Sequence, residues 1–152
     1  LGDVYKRQAY KVAVQDTYPS WGWWIVNGAT TLLENWNLEA TRDISDNHMM
    51  FGEIGGWFFK GLGGIKPDPE APGFKHILLR PNFVGVDAFE ASHDAPCGRI
   101  VSAWTRRGNT VTYCVRIPAN STATLYLPAN VDGGKVHQLG AGSHTLTLRV
   151  AK

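Results

Sequence analysis

The sequence predicts an α+β chain, a short helical part followed by a small antiparallel β-sandwich. Three observations carry that prediction. Before residue 65 the apolar positions recur at helical spacing, as in Met50, Ile54, Trp57, Phe58 and Leu62. The run Lys66-Pro-Asp-Pro-Glu-Ala-Pro-Gly73 then stops any helix, because proline fixes φ and removes a backbone donor. Beyond it the apolar period falls to two, with turn residues at short intervals. At 152 residues, 43% hydrophobic and 18% charged, the composition suits a packed chain rather than a disordered one.

Taken in order, residues 1–8 (Leu-Gly-Asp-Val-Tyr-Lys-Arg-Gln) match nothing downstream and read as a junction artefact. Residues 9–17 carry weak helical periodicity in Tyr10 and Val14. Ser20 then caps a helix on which Trp21, Trp24 and Ile25 recur at helical spacing. Gly28 ends it, and the β-branched pair Thr30-Thr31 favours an extended path. After a polar connection, Asp46 or Asn47 caps a second helix reaching Gly63-Gly64. Its interior glycines, Gly52, Gly55, Gly56 and Gly61, each cost roughly 1 kcal/mol against alanine. Such a helix is expected only where neighbours press on its glycine faces.

Seven strands are predicted: 76–80, 87–93, 99–105, 110–117, 121–127, 135–139 and 144–150. Val111, Tyr113, Val115 and Ile117 alternate with polar residues, so one face of that strand enters a core. A turn at Arg106-Arg-Gly-Asn109 would set Trp104 opposite Val111 and Val101 opposite Cys114. Cys97 then lies on the order of 13 Å from Cys114, beyond disulfide reach, and both thiols are expected to be free. The expected organisation is residues 1–8 as artefact, 9–65 as the helical part, 66–73 as a Pro-rich linker and 74–152 as the sandwich.

A net charge of +2 with scattered basic residues argues against a nucleic-acid partner. No apolar run approaches the roughly 20 residues of a membrane span. His76, His93, His137 and His144 lack metal-ligand spacing, and no glycine-rich phosphate loop follows a strand, so no metal or cofactor is expected. Asn120-Ser-Thr is a glycosylation sequon by form only.

Chemistry concentrates between Tyr18 and Trp36, where four tryptophans and a tyrosine surround one carboxylate, Glu34. Two readings stand. Glu34 is a surface carboxylate beside a tryptophan-rich core, or it is the proton acceptor of a sugar-cleaving site whose rings stack on a pyranose.

The run Tyr18-Pro-Ser-Trp-Gly…Asn27-Gly-Ala-Thr-Thr-Leu-Leu-Glu34-Asn-Trp36 resembles a signature of bacterial α-L-rhamnosidases of glycoside hydrolase family 78. So does Asp46-Asn-His-Met-Met-Phe-Gly-Glu-Ile-Gly-Gly-Trp-Phe58. Pro69-Glu-Ala-Pro-Gly-Phe-Lys-His76 and Leu79-Arg-Pro81 are similar to the lead-in to that family's C-terminal β-domain. The resemblance spans roughly residues 17–152. It implies that the chain is a fragment, the last helices of an (α/α)6 barrel followed by the β-sandwich, partnered by the upstream part of that barrel. It implies a rhamnose-containing glycoside or polysaccharide as substrate. It assigns Glu34 as the general base of an inverting hydrolysis and His48 to the sugar pocket. Trp21, Trp23, Trp24 and Trp36 cannot all line a pocket, and of these Trp36 and Trp21 are the ones chosen as substrate-binding residues. The general acid lies upstream in the family, and Asp16, Glu39, Asp43 and Glu53 are not nominated for it. Two alternatives remain: another inverting (α/α)6 glycosidase, or a carbohydrate-binding module in the sandwich. For the module, Trp104 and Tyr113 fall on the predicted core face, leaving Phe83, Phe89 and Tyr126 as its aromatics.

Overall fold

The computed structural model describes residues 2–38 and 44–151, so Glu39 and Asp43 lie outside the described residues. The chain divides into two compact units, Leu1–Trp57 and Phe58–Lys152.

In the first unit, α1 spans Gly2–Val14 and α2 spans Trp21–Val26. Ser20 caps α2 as its residue type predicts, its hydroxyl accepting from the Trp23 N–H at 2.8 Å and donating to the Gln15 carbonyl at 2.5 Å. Gly28, with φ +88, follows the Asn27 C-cap and turns the chain into the irregular segment ahead of Glu34. The second helix departs from expectation. It breaks into a 3₁₀ turn at Met49–Gly52 and a short α3 at Glu53–Trp57. Its cap is His48 rather than Asp46 or Asn47, the ring Nδ1 accepting from the Met50 N–H at 3.0 Å. The break has a physical cause. A side chain at Gly55 would meet nothing within 4 Å, and Gly52 has only Leu32 nearby. At these two positions glycine weakens the helix with little packing to offset it.

The second unit opens on a π-helical turn, Phe58–Gly63, whose last three residues are buried. Eight strands follow: β1 Ile65–Pro67, β2 His76–Leu79, β3 Ala88–Ala95, β4 Gly98–Arg107, β5 Thr110–Ile117, β6 Thr122–Tyr126, β7 Val136–Leu139 and β8 Gly142–Arg149. They form two four-stranded sheets, β1-β2-β6-β7 and β3-β4-β5-β8. One core joins them, with Ile77, Leu79 and Leu125 from the first sheet and Ile100, Trp104, Tyr113 and Leu148 from the second. Burial along β5 alternates without exception, which is what a strand with one face on a core must show.

Four details correct the sequence reading. Residues 65–67, beside and within the stretch read as linker, form the edge strand β1, paired with β2 alone. An edge position tolerates Pro67 because one side of the strand has no ladder to donate to. β2 and β6 pair in parallel, because the chain crosses to the other sheet for β3–β5 before returning. The β4–β5 register places Trp104 opposite Tyr113 and Arg107 opposite Thr110, two residues from the expected pairing. A slip of two preserves every facing, so the core residues stand. Cys114 sits opposite Ala103, putting Cys97 on the order of 20 Å along the sheet. Both thiols are free. Phe83 is core, 3% exposed, and so cannot serve a sugar platform; Phe89 and Tyr126 are half-buried, with Arg80 lying over the Tyr126 ring.

The buried end of the π-turn is held by side chains. Asn82 Nδ2 donates to the Gly61 carbonyl at 2.6 Å, and Trp104 Nε1 to that of Leu62 at 3.1 Å. The Ser102 hydroxyl donates to the Gly63 carbonyl at 2.6 Å. Its one proton being committed, Ser102 accepts from the Tyr113 phenol at 3.0 Å. Burial pushes the Tyr113 phenol well above the ordinary tyrosine range. The folded state thus keeps Tyr113 protonated. Its stabilisation is complete below about pH 10, the unfolded value, and is lost as pH rises above that.

Stability of the wild-type chain should therefore fall above about pH 10 at up to roughly 1.4 kcal/mol per pH unit more steeply than that of Tyr113→Phe. Urea denaturation between pH 9 and 11.5 checks this, and parallel slopes for the two proteins would refute it. Ultraviolet titration should show one of the five tyrosines ionising only on unfolding.

Candidate functional site

The candidate site lies wholly in the first unit, on two irregular segments that lace together. Residues 31–36 follow the Gly28 turn, and residues 44–48 lead into the 3₁₀ turn. The Thr31 hydroxyl donates to the Asp46 carbonyl. The His48 N–H donates to the Leu32 carbonyl at 2.7 Å. Glu34 and Ser45 exchange two bonds, the Glu34 N–H donating to the Ser45 carbonyl at 3.0 Å and the Ser45 N–H to Glu34 Oε2 at 2.7 Å.

Glu34 is half-buried. Ser45 is the one group among the described residues that bonds its carboxylate, so Oε2 is committed and Oε1 is not. An N–H donated to a carboxylate is a charge-assisted bond, and here it fixes which oxygen faces away. His48 is also half-buried, and its Nδ1 accepts a backbone N–H. The neutral ring therefore carries its proton on Nε2, which is left to donate outward.

The tryptophans pack against each other and against a ring that sequence reasoning passed over, Phe51. Trp24 is 2% exposed, 4.5 Å from Trp36 and 5.3 Å from Phe51 by ring centroid. Trp36 lies 4.4 Å from Phe51 and 4.9 Å edge-on from Trp21. Trp21 Nε1 donates to the Phe51 carbonyl at 3.2 Å, and Trp24 Nε1 to that of Trp36 at 3.3 Å. Trp21 and Trp36 are half-buried. The signal for Phe51 was present: it sits three residues past His48, on the same short turn that Trp21 must cover.

A hollow of about 420 Å³ opens beside this cluster, lined by Ala9, Trp21, Phe51, Glu53, Ile54 and Trp57 among others. Glu34, His48 and Trp36 do not line it, so of the four candidate site residues only Trp21 does. Among the described residues no group of three His, Cys, Asp or Glu side chains gathers as a metal site would require. His76 bonds the Thr122 and Thr124 hydroxyls, and His93 packs on Phe74.

Comparisons with known proteins match both units. The model of the bacterial alpha-L-rhamnosidase C-terminal domain matches residues 64–142, and that of the bacterial alpha-L-rhamnosidase 6 hairpin glycosidase domain matches residues 3–62. An alpha-L-rhamnosidase of Alteromonas sp. (strain LOR) is 35% identical over 129 residues, covering 80% of this chain and 14% of that protein. The solved alpha-L-rhamnosidase of Dictyoglumus thermophilum superposes with a TM-score of 0.81 at 29% identity, over 92% of this chain and 18% of its own. That of Streptomyces avermitilis, solved in complex with L-rhamnose, gives 0.81 at 28% identity over 91% of this chain and 16% of its own. The chain thus spans less than a fifth of the length of each of these relatives.

His48→Ala should destabilise the first unit by about 1 kcal/mol through loss of the cap, and His48→Asn, which keeps an acceptor, should restore most of it. Five of the six tryptophans lie before residue 58, so urea unfolding followed by tryptophan fluorescence reads this unit. Equal loss in both variants would show that the cap is not what His48 contributes to stability.

Proposed function

Because this chain belongs to the bacterial α-L-rhamnosidases, we propose that it serves within a longer inverting glycoside hydrolase releasing terminal α-L-rhamnose, to which it brings the general base. The observation that supports this reading is the half-buried Glu34 carboxylate, which among the described residues is held through Oε2 alone, by the Ser45 N–H. In the proposed step Glu34 Oε1 takes a proton from water as the water oxygen attacks the anomeric carbon. The bond to the leaving glycosidic oxygen breaks on the opposite face, where a second carboxylic acid protonates it. That acid stands about 6.5–9.5 Å from the base, leaving room for the water.

The other residues have supporting roles. His48 Nε2–H is positioned to donate to a sugar hydroxyl, and Trp21 and Trp36 offer half-exposed rings to the apolar face of a pyranose. The substrate is a rhamnose-containing glycoside or polysaccharide. The partner is the rest of the catalytic barrel, which supplies the acid.

Two outcomes follow. The 152-residue chain alone should not hydrolyse an aryl rhamnoside above the buffer rate, since one carboxylate cannot act on both faces of the ring at once. In the full-length enzyme Glu34→Gln should lower kcat by roughly 10²- to 10⁴-fold or more while sugar binding survives. Azide, which needs no base, should rescue turnover and give a β-configured rhamnosyl azide. A Glu34→Gln enzyme with near-normal kcat and a raised KM would make Glu34 a binding group and end this reading.

A further inference from the structure

Resting on the reading of Glu34 as the base, we propose that Ser45 is the positioning residue that sets which carboxylate oxygen meets the attacking water. Four hydrogen bonds hold residues 31–34 against 45–48, and Ser45 makes two of them. Its N–H reaches Glu34 Oε2 at 2.7 Å, while its own carbonyl accepts from the Glu34 N–H at 3.0 Å. The Ser45 hydroxyl closes the local turn, lying 3.1 Å from the Asn47 N–H and 3.0 Å from the Asn47 carbonyl. That turn aims the Ser45 N–H across at the carboxylate.

The consequence is geometric. Glu34 sits on an irregular segment, where no helix or ladder restrains its side chain. With both chain and side chain tied to Ser45, the carboxylate has one orientation and presents Oε1. Without that tie the side chain samples several rotamers, and the fraction aligned for proton transfer falls. Thr31 acts from the far end of the same pairing through its bond to Asp46. Neither residue touches the reacting atoms, and both act through Glu34.

Steady-state kinetics of the full-length enzyme test this. Ser45→Ala, which removes the turn-closing hydroxyl, should lower kcat on the order of tenfold with KM within about twofold. Ser45→Thr keeps the hydroxyl and should restore the rate. In a Glu34→Gln background driven by azide, Ser45→Ala should change nothing, because that reaction uses no base. Equal losses in the water and azide reactions would overturn the proposal and make Ser45 a plain structural residue. Thr31→Val should repeat the whole pattern, and supplies the test if Ser45→Ala does not fold. Unchanged kcat in the soluble variants, with Glu34→Gln inactive, would overturn the positioning role and leave the base intact. A fully active Glu34→Gln would instead sink the base itself.

Discussion

Three successive carbonyls at the end of the Phe58–Gly63 turn are buried with no helical partner, and the second unit is arranged to meet them. A helix end leaves its last carbonyls unsatisfied, and leaving one dry costs about 1–3 kcal/mol. β4 answers two of the three. Ser102 and Trp104 are two residues apart, so the strand's alternation sends both inward on the same face. Asn82, in the loop after β2, answers the third. Gly64 then turns the chain toward β1 with φ +73, so close to Arg80 and Pro81 that a Cβ would lie 2.2 Å from the Pro81 nitrogen. Any other residue there would push β1 away from the sheet edge it occupies.

That arrangement explains why the centre of the sandwich is built from amphipathic aromatics rather than aliphatic residues alone. Trp104 and Tyr113 each bury a ring and carry one polar atom, and the Phe83 ring meets both edge-on, at 5.5 and 5.9 Å. Their polar atoms point at the turn, Trp104 directly and Tyr113 through Ser102. A leucine in either place would fill much of the volume and leave a buried acceptor unmet. Packing and hydrogen bonding are here carried by the same side chains, which couples the core to the turn.

All seven expected strands formed because a strand with one face on a core writes its period into the chain, and Val111, Tyr113, Val115 and Ile117 carry it clearly. Alternation does not encode the partner's direction or offset, so the parallel β2–β6 pair and the two-residue shift of β4 on β5 were invisible. β1 was hidden by Pro67, which argues against a sheet centre but not against an edge. The second helix misled because a 3.6 period in apolar residues says nothing of whether neighbours cover the glycines between them. At the site, Glu34 stands out in the sequence as the one carboxylate between Tyr18 and Trp36. Its partner was not, because a backbone N–H has no residue-type signature, and only the fold could bring Ser45 to it.

The two units apply one rule to opposite ends. In the π-turn, backbone acceptors receive side-chain donors; at Glu34, a side-chain acceptor receives a backbone donor. In the π-turn the carbonyls of Gly61, Leu62 and Gly63 are buried and each is answered by a side-chain donor. At Glu34 burial is partial, and among the described residues one carboxylate oxygen is answered. The tryptophans follow the same division. Trp24 is buried and packs on Trp36 and Phe51, while half-buried Trp21 meets Trp36 and Phe51 edge-on.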